Sequence, residues 1–564
     1  MTPGTKTSAY LSRESISCAC EGGPQPSLHP ALTRLTRITL FIFLFTVILW
    51  ALLLDLLPPT QRDALIHHLA LPKIWLKQGI LTDLPWASFS YYPMNLELLY
   101  LIPLALGADW GAKIIHHGFG LLTALIVYLY LKKRLNQNWA ILGSVLFLST
   151  PIVMRLSASA YVDLGLAFFI TASWMAMLEW SSTRRNIFFI ISAATLGLGL
   201  GTKYNALIAL PLLTAGAMVL SAWNGKGFLK SGLWGLAFLF LALIMFSPWL
   251  IRNFVLTGNP LYPLYNHLWG LPGVAPSDLV VNIFTERHHL YGESLIQILL
   301  VPVRAFFSGQ DHSPRFFDGV LNPILLILPV FALIKTRDRY LRLLGVFVLL
   351  WIIAVFFQST FRIRYMLPIL PVLVVLTVYG LHELWNFFSR RLTRGLSIVF
   401  FTCVLSSFLS LNVIWAYDFW QKAAPAPYLL GRETRETYLK KSLDHYEVMD
   451  FINRDLPSQS SILFLFAGNR GYYCDRNYFY HTFYSGETLK PILTGARSGL
   501  EIREELKSLG VTHILTRRAL LTNYLVNNFQ KDKLLIWRDF AKYYLKPRYR
   551  GRGYTLYEIN DNHG

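Results

Sequence analysis

Charged side chains are scarce in this chain: Asp, Glu, Lys and Arg make up 15% of its 564 residues, against about a quarter in ordinary globular proteins. That shortage excludes a conventional soluble protein. Acids are the rarer sign, 32 against 52 Lys and Arg, for a formal net charge of +20. Cysteine is scarcer still, at four. Only Cys474 falls in a region that the charge pattern below puts outside the membrane, so no external disulfide forms within one chain. Cys18 and Cys20 sit in a polar stretch, where two cysteines are more often unliganded than a metal clip. The first 30 residues lack a cleavable signal pattern, and no repeat of fixed period runs through the chain.

What the sequence has in abundance is apolar residues, 54% of the total with 15% aromatic and a mean hydropathy of +0.41. Apolar runs begin near Ile38, Ile114, Trp139, Tyr161, Ile187, Asn205, Gly232, Val320, Arg342, Tyr365 and Leu396. Each of these eleven is long enough to cross roughly 30 Å of hydrocarbon. Leu96–Leu106 is apolar but too short to cross, which fits a re-entrant or interfacial segment. The expected fold class is therefore a polytopic α-helical membrane protein, because so many spans can satisfy their backbone groups in lipid only as helices.

The positives orient it. Lys132-Lys133-Arg134, Arg184-Arg185, Lys226 with Lys230, Lys335/Arg337/Arg339/Arg342, and Arg390-Arg391 with Arg394 fall in every second connection. The positive-inside rule puts those loops and the N-terminus in the cytoplasm. Nucleic-acid binding is excluded, since it needs a basic stripe on one soluble face. The organisation expected is a disordered cytoplasmic tail (1–37), a transmembrane module (38–416) with external loops at 58–113 and 251–319, and an external α/β domain (417–564). In that last part Ser461–Phe466 and Thr512–Thr516 read as buried strands. Tyr446–Asn453 and Leu500–Leu509 read as helices, the second ending at Gly510. The basic tail Lys542–Arg552 fits either an edge strand or a surface for anionic lipid or glycan.

Polar residues against this trend gather on the external side. Asp63 and His67, four apart, share a face of a helix expected along the interface, with Leu65, Ile66, Leu69 and Leu76 as its apolar stripe. Asp163 opens the apolar run Leu164–Phe169, where an ionised group is costly unless it meets water, a partner or a substrate. It is expected to face a hydrated cavity. Lys203, Arg252, Arg362 and Arg364 lie at outer ends of spans. Several cations on one face suit a phosphate, which arginine holds with two parallel bonds and lysine as a point charge. A carboxylate beside them can deprotonate an acceptor hydroxyl while they stabilise a departing phosphate. His67, His68, Glu286 and His288 are further candidates for acceptor contact or metal ligation. A divalent metal shared by the acids is left open, and no cofactor is certain.

Arg62-Asp63…His67-His68…Pro72-Lys73, Ala160-Tyr-Val-Asp163, Gly201-Thr-Lys-Tyr204, Pro248-Trp-Leu-Ile-Arg-Asn253 with Gly258-Asn-Pro260, and Arg364-Tyr-Met-Leu-Pro368 together resemble the GT-C glycosyltransferases. The resemblance is to their branch of protein O-mannosyltransferases (glycosyltransferase family 39) and lipid A aminoarabinose transferases. It covers about residues 38 to 416, and Met449–Pro457 with Gly510–Leu515 resembles the external domain of bacterial members. It implies inverting transfer from a polyprenyl-phosphate sugar to a lipid, glycan or protein hydroxyl at the outer face of a bacterial inner membrane. It maps the catalytic acid onto Asp63, the second acidic position onto Asp163, and Lys203, Arg252 and Arg364 near the donor phosphate. The protein mannosyltransferases carry adjacent acids in the first loop, whereas Asp63 is flanked by Arg62 and Ala64, which tells against a protein acceptor. Two rivals share these residue types: an oligosaccharide ligase acting on a lipid diphosphate, and a lipid-sugar transporter or flippase, which would ordinarily carry internal repeats.

Overall fold

An apolar segment in hydrocarbon has the helix as its one open structure that leaves no backbone group unpaired, and the chain folds accordingly. The computed structural model describes residues 30–269, 282–358, 360–480 and 488–560. Most of the tail expected at 1–37, including Cys18 and Cys20, lies outside them. Each of the eleven apolar runs coincides with a helix, and the chain is an integral membrane protein. Eight of those helices are long and apolar enough to cross: Arg34–Asp55, Trp110–Arg134, Asp163–Thr183, Tyr204–Trp223, Phe228–Thr257, Arg339–Phe356, Ile363–Ser389 and Arg394–Ala423. A ninth run is divided into Gln137–Ser149 and Pro151–Ser157, bent by 67°. The break falls at Thr150, which is extended (φ −62°, ψ 127°) because Pro151 disfavours helix at the residue before it. Asn186–Leu200 and Ile324–Lys335 have 15 and 12 residues, about 22 and 18 Å at a rise of ~1.5 Å per residue. These two fall short of a full crossing by length, which their hydropathy does not reveal.

The first loop, 58–113, departs from the single interfacial helix expected. Ala64–His68 forms one π-helical turn, followed by the α-helix Ala70–Gln78, which ends at Gly79 with φ 73°. Leu65, Ile66 and Leu69 are fully buried in protein while Leu76 stays 39% exposed, so the apolar stripe packs on the bundle more than on lipid. The short run is the helix Asn95–Ala105.

After the last span the chain builds a five-stranded sheet: β1 (Ser461–Leu465), β2 (Asn477–Tyr480), β3 (His513–Arg517), β4 (Leu545–Gly551) and β5 (Tyr554–Ile559). Their order is β2-β1-β3-β5-β4, parallel across the first three and antiparallel at the other end. The helices Tyr446–Asp455 and Gly499–Ser508 flank it, with Gly510 at φ 76°. The basic tail forms edge strand β4. This unit is bolted to the first loop. The Tyr472 amide donates to the Leu65 carbonyl (3.1 Å), Lys73 donates to the Tyr472 carbonyl and to Asp475 (2.7 Å each), and the Tyr473 hydroxyl donates to the Pro59 carbonyl (2.7 Å). Tyr472 and Arg435 both bind the Asp109 carboxylate.

Residues 287–304, between Phe228–Thr257 and Ile324–Lys335, are held together by a buried carboxylate. Glu293 accepts from Arg287 at 2.7 and 2.8 Å and from Arg304 at 3.0 and 3.1 Å. Burial acts to raise its carboxyl, but the arginine hydrogen bonds and charges prevail and draw it down to about 2. Its stabilisation is therefore complete above the ordinary value of 4.5 and is lost as pH falls from there through about 2. Glu293→Gln strands the arginines and is expected to cost about 3 kcal/mol at pH 7. Thermal unfolding of purified wild type and variant should show a gap that narrows below the ordinary glutamate range; equal midpoints at pH 7 would overturn the assignment.

Candidate active site

A cavity of about 2110 Å³ opens between one end of the helix bundle and the sheet-bearing unit. The first loop contributes Asp63, His67, His68 and Glu97 to its wall; the ends of spans contribute Tyr161, Lys203, Arg362 and Arg364; and the segment after β1 contributes Asn469 and Arg470.

Asp63 sits immediately before the π turn, a rare geometry that recurs at functional sites. Its amide donates to the Tyr161 hydroxyl (3.3 Å), and two residues earlier Gln61 donates to the Ala158 carbonyl (3.2 Å). Arg364 Nη1 donates to Asp63 Oδ2 at 2.5 Å. The guanidinium lies 5.8 and 5.6 Å from the Tyr161 and Tyr365 ring centres. Its turn is pinned by the Ile363 amide on the Phe317 carbonyl (2.8 Å) and the Trp351 indole on the Tyr365 carbonyl (2.9 Å). Burial pushes the Asp63 carboxyl up, but the charges of Arg364, His67 and Lys203 outweigh it and hold the group well below the usual carboxylate range. Asp63 is thus ionised and masked by arginine.

Asp163 is the first residue of Asp163–Thr183, where a negative charge suits the helix dipole. Lys203 Nζ donates to its Oδ1 at 2.7 Å. The His116 ring fixes the helix start: Nδ1 donates to the Ser159 carbonyl (2.8 Å), which leaves Nε2 to accept from the Leu164 amide (2.9 Å). Asp163 is 2% exposed and does not itself line the cavity; Lys203 does. The expectation that Asp163 faces a hydrated space therefore changes. It stands behind Lys203 and aims the ammonium, while its Oδ2 has no partner among the described residues. Lys203 follows Gly201, where a Cβ would fall 2.2 Å from Asn95 Nδ2; that close approach explains the Gly-Thr-Lys motif.

The other candidates divide. Arg362 lines the cavity and, among the described residues, makes a loose 3.9 Å contact to Asp318. Arg252 lies off the wall. It donates to the Ser90 carbonyl (3.1 Å) beside the Tyr91 and Trp249 rings, while Asn253 donates to the Tyr91 carbonyl (2.8 Å) and the Tyr204 hydroxyl (3.0 Å), so this motif braces the loop under the site. Glu286 and His288 lie on Ile283–Tyr291 and do not line the cavity. Sequence reasoning missed Glu97, although an acid inside the apolar run Leu96–Leu106 was the signal. It also missed Arg155, which lines the cavity and binds Asp311 (2.7 Å) and Asp318 (3.1 Å). The donor set does not suit a divalent ion held by protein: Arg364 and Lys203 already occupy the two acids, and among the described residues no three His, Cys, Asp or Glu side chains converge.

The sequence model of the dolichyl-phosphate-mannose-protein mannosyltransferase family matches residues 100–251. Among solved structures, ArnT from Cupriavidus metallidurans in the apo state superposes with a TM-score of 0.57 at 15% identity, over 93% of this chain and 98% of that one. The same protein bound to undecaprenyl phosphate gives 0.55 at 13%, over 95% and 99%. The apo oligosaccharyltransferase of Archaeoglobus fulgidus gives 0.50 at 13%, over 93% of this chain and 74% of that one. At such identities the likeness is one of fold.

Removing Lys203 leaves the buried Asp163 carboxylate uncompensated. Lys203→Met is expected to destabilise the protein by about 3–5 kcal/mol, whereas adding Asp163→Asn recovers most of that loss. Thermal melts of the three purified variants test this, and a double variant no more stable than Lys203→Met would contradict it.

Proposed function

We propose that this chain, which has the fold of the GT-C membrane glycosyltransferases, moves a sugar from a polyprenyl phosphate to an acceptor hydroxyl with inversion, Asp63 acting as general base. The observation that carries the reading is the clamping of Asp63 by Arg364 in one cavity with Lys203. ArnT bound to undecaprenyl phosphate supports the choice of donor. The basic loops support an external site and a cytoplasmic N-terminus in a bacterial inner membrane.

The masking of Asp63 gives the order of events. An arginine-bound carboxylate is a poor base, so the empty site is inactive. A lipid phosphate entering the cavity competes for Arg364 and Lys203, because both bind an oxyanion at least as well as a carboxylate. As Arg364 turns to the phosphate, Oδ2 of Asp63 is released and its proton affinity rises. Asp63 then takes the proton of the acceptor hydroxyl while that oxygen attacks the anomeric carbon. The bond from that carbon to the phosphate oxygen breaks on the opposite face, which inverts the centre. The electron pair leaves on the polyprenyl phosphate, where Arg364, Lys203 and Arg362 stabilise it. Asp63 finally loses its proton to water. Asp163 keeps Lys203 aimed throughout, and the buried π turn keeps Asp63 within reach.

Cells lacking the protein, and cells carrying Asp63→Asn at matched abundance, are expected to accumulate one polyprenyl-phosphate sugar by lipid mass spectrometry. Removing a positioned base should slow transfer by about 10²–10⁴-fold. An Asp63→Asn strain whose lipids match those of the intact strain would rule out this base.

A further inference from the structure

The wall beside Asp63 carries polar atoms that the mechanism above does not use. His67 lies flat on Phe89, with ring centres 4.2 Å apart and planes 12° from parallel. Its Nδ1 is buried without a hydrogen-bond partner among the described residues. The His68 ring is 4.0 Å from that of His67, and His68 Nδ1 is 2.7 Å from Glu97 Oε1. Glu97 is 2% exposed and its Oε2 is likewise unpartnered. All three side chains line the cavity.

Buried polar atoms without partners are costly, at about 1–3 kcal/mol each. Two of them, one on His67 in the turn that begins at Asp63 and one on Glu97 of Asn95–Ala105, both residues that line the cavity, mark where a ligand completes the network. A prenyl chain offers no hydrogen bonds, and a phosphate is drawn instead to Arg364 and Lys203. Sugar hydroxyls both donate and accept, so they match an imidazole nitrogen and a carboxyl oxygen together. We propose that His67 and Glu97 form the glycosyl subsite of the donor and select a neutral, hydroxyl-bearing sugar over a cationic amino sugar.

The charges nearby favour that choice. Lys203 and Arg364 stand beside this wall and disfavour a protonated amine, while the ionised acid nearest His67, Asp63, is turned to the acceptor hydroxyl in the proposed mechanism. Burial pushes Glu97 up to about 8 and His67 down to about 4, so at neutral pH neither supplies a counter-charge. Burial pushes His68 well down too, which makes its contact with Glu97 one between uncharged partners.

The inference rests on the reading of the phosphate site, so the test separates the two. Full-length protein in nanodiscs is titrated with undecaprenyl phosphate, its neutral hexosyl ester and its aminohexosyl ester, and binding is read by native mass spectrometry. The hexosyl lipid should bind about tenfold tighter than undecaprenyl phosphate, as expected of one or two buried hydrogen bonds, and tighter than the aminohexosyl lipid. Glu97→Ala should shrink the first gap to within about twofold, and Glu97→Gln, which keeps an uncharged hydrogen-bonding end, should restore most of it. If undecaprenyl phosphate binds but the hexosyl group adds nothing, or if the aminohexosyl lipid binds tightest, the subsite is overturned while the phosphate site stands. If undecaprenyl phosphate itself fails to bind, both fall together.

Discussion

The contact between Arg364 and Asp63 is the constraint around which the outer half of this molecule is arranged. A carboxylate at the edge of hydrocarbon is tolerable only when paired or hydrated, and here it is paired at 2.5 Å. Keeping that pair in register requires a first loop that does not drift. The loop is fastened by Tyr161 and Ala158 on the bundle side and by Lys73, Tyr472 and Tyr473 on the sheet side. The sheet-bearing unit thus forms part of the wall that holds Asp63 in place, and through Asn469 and Arg470 it also lines the cavity.

A second carboxylate–cation pair, Asp163 with Lys203, repeats the arrangement one layer deeper. The two pairs differ in exposure and so in role. Arg364 and Asp63 both line the cavity, whereas of the second pair only the lysine does. A phosphate arriving there meets two cations whose present partners are acids. Its binding energy can be spent on freeing the acid that borders the cavity, while the buried acid keeps its lysine. On the proposed mechanism, catalytic power and substrate entry are coupled in that way without any moving domain. The proposed order of events would keep the unoccupied site from presenting a competent base to water.

Much of this was legible beforehand. Apolar length located the helices, and β1 and β3 stood out because strands inside a sheet are apolar on both faces. The basic tail left an edge strand as one of two readings, and β4 is that strand; β2 and β5 went unread, Asn477–Tyr480 being only four residues long. Asp63, His67, His68, Lys203, Arg362 and Arg364 do come to one cavity. Scarcity of cations at the helix ends expected to lie outside had singled out Lys203, Arg362 and Arg364, and the four-residue spacing in the first loop had singled out Asp63 and His67. Asp163 was visible as a charge at a helix start, but sequence carries no information on which side chain packs over it, and Lys203 does. Arg252 resembled a phosphate ligand because an arginine beyond a span has the same signature whether it faces a cavity or braces a loop. Glu97 went unread because a lone acid in an apolar run gains its meaning from His68, 29 residues away.

The most direct measurement is a cryo-electron microscopy structure of the full-length protein with undecaprenyl phosphate in lipid nanodiscs. The phosphate is expected within hydrogen-bond distance of Arg364 and Lys203, with the Asp63 carboxylate detached from Arg364 and open to the cavity. A phosphate bound elsewhere, with the Asp63–Arg364 contact intact, would contradict the exchange on which the mechanism depends.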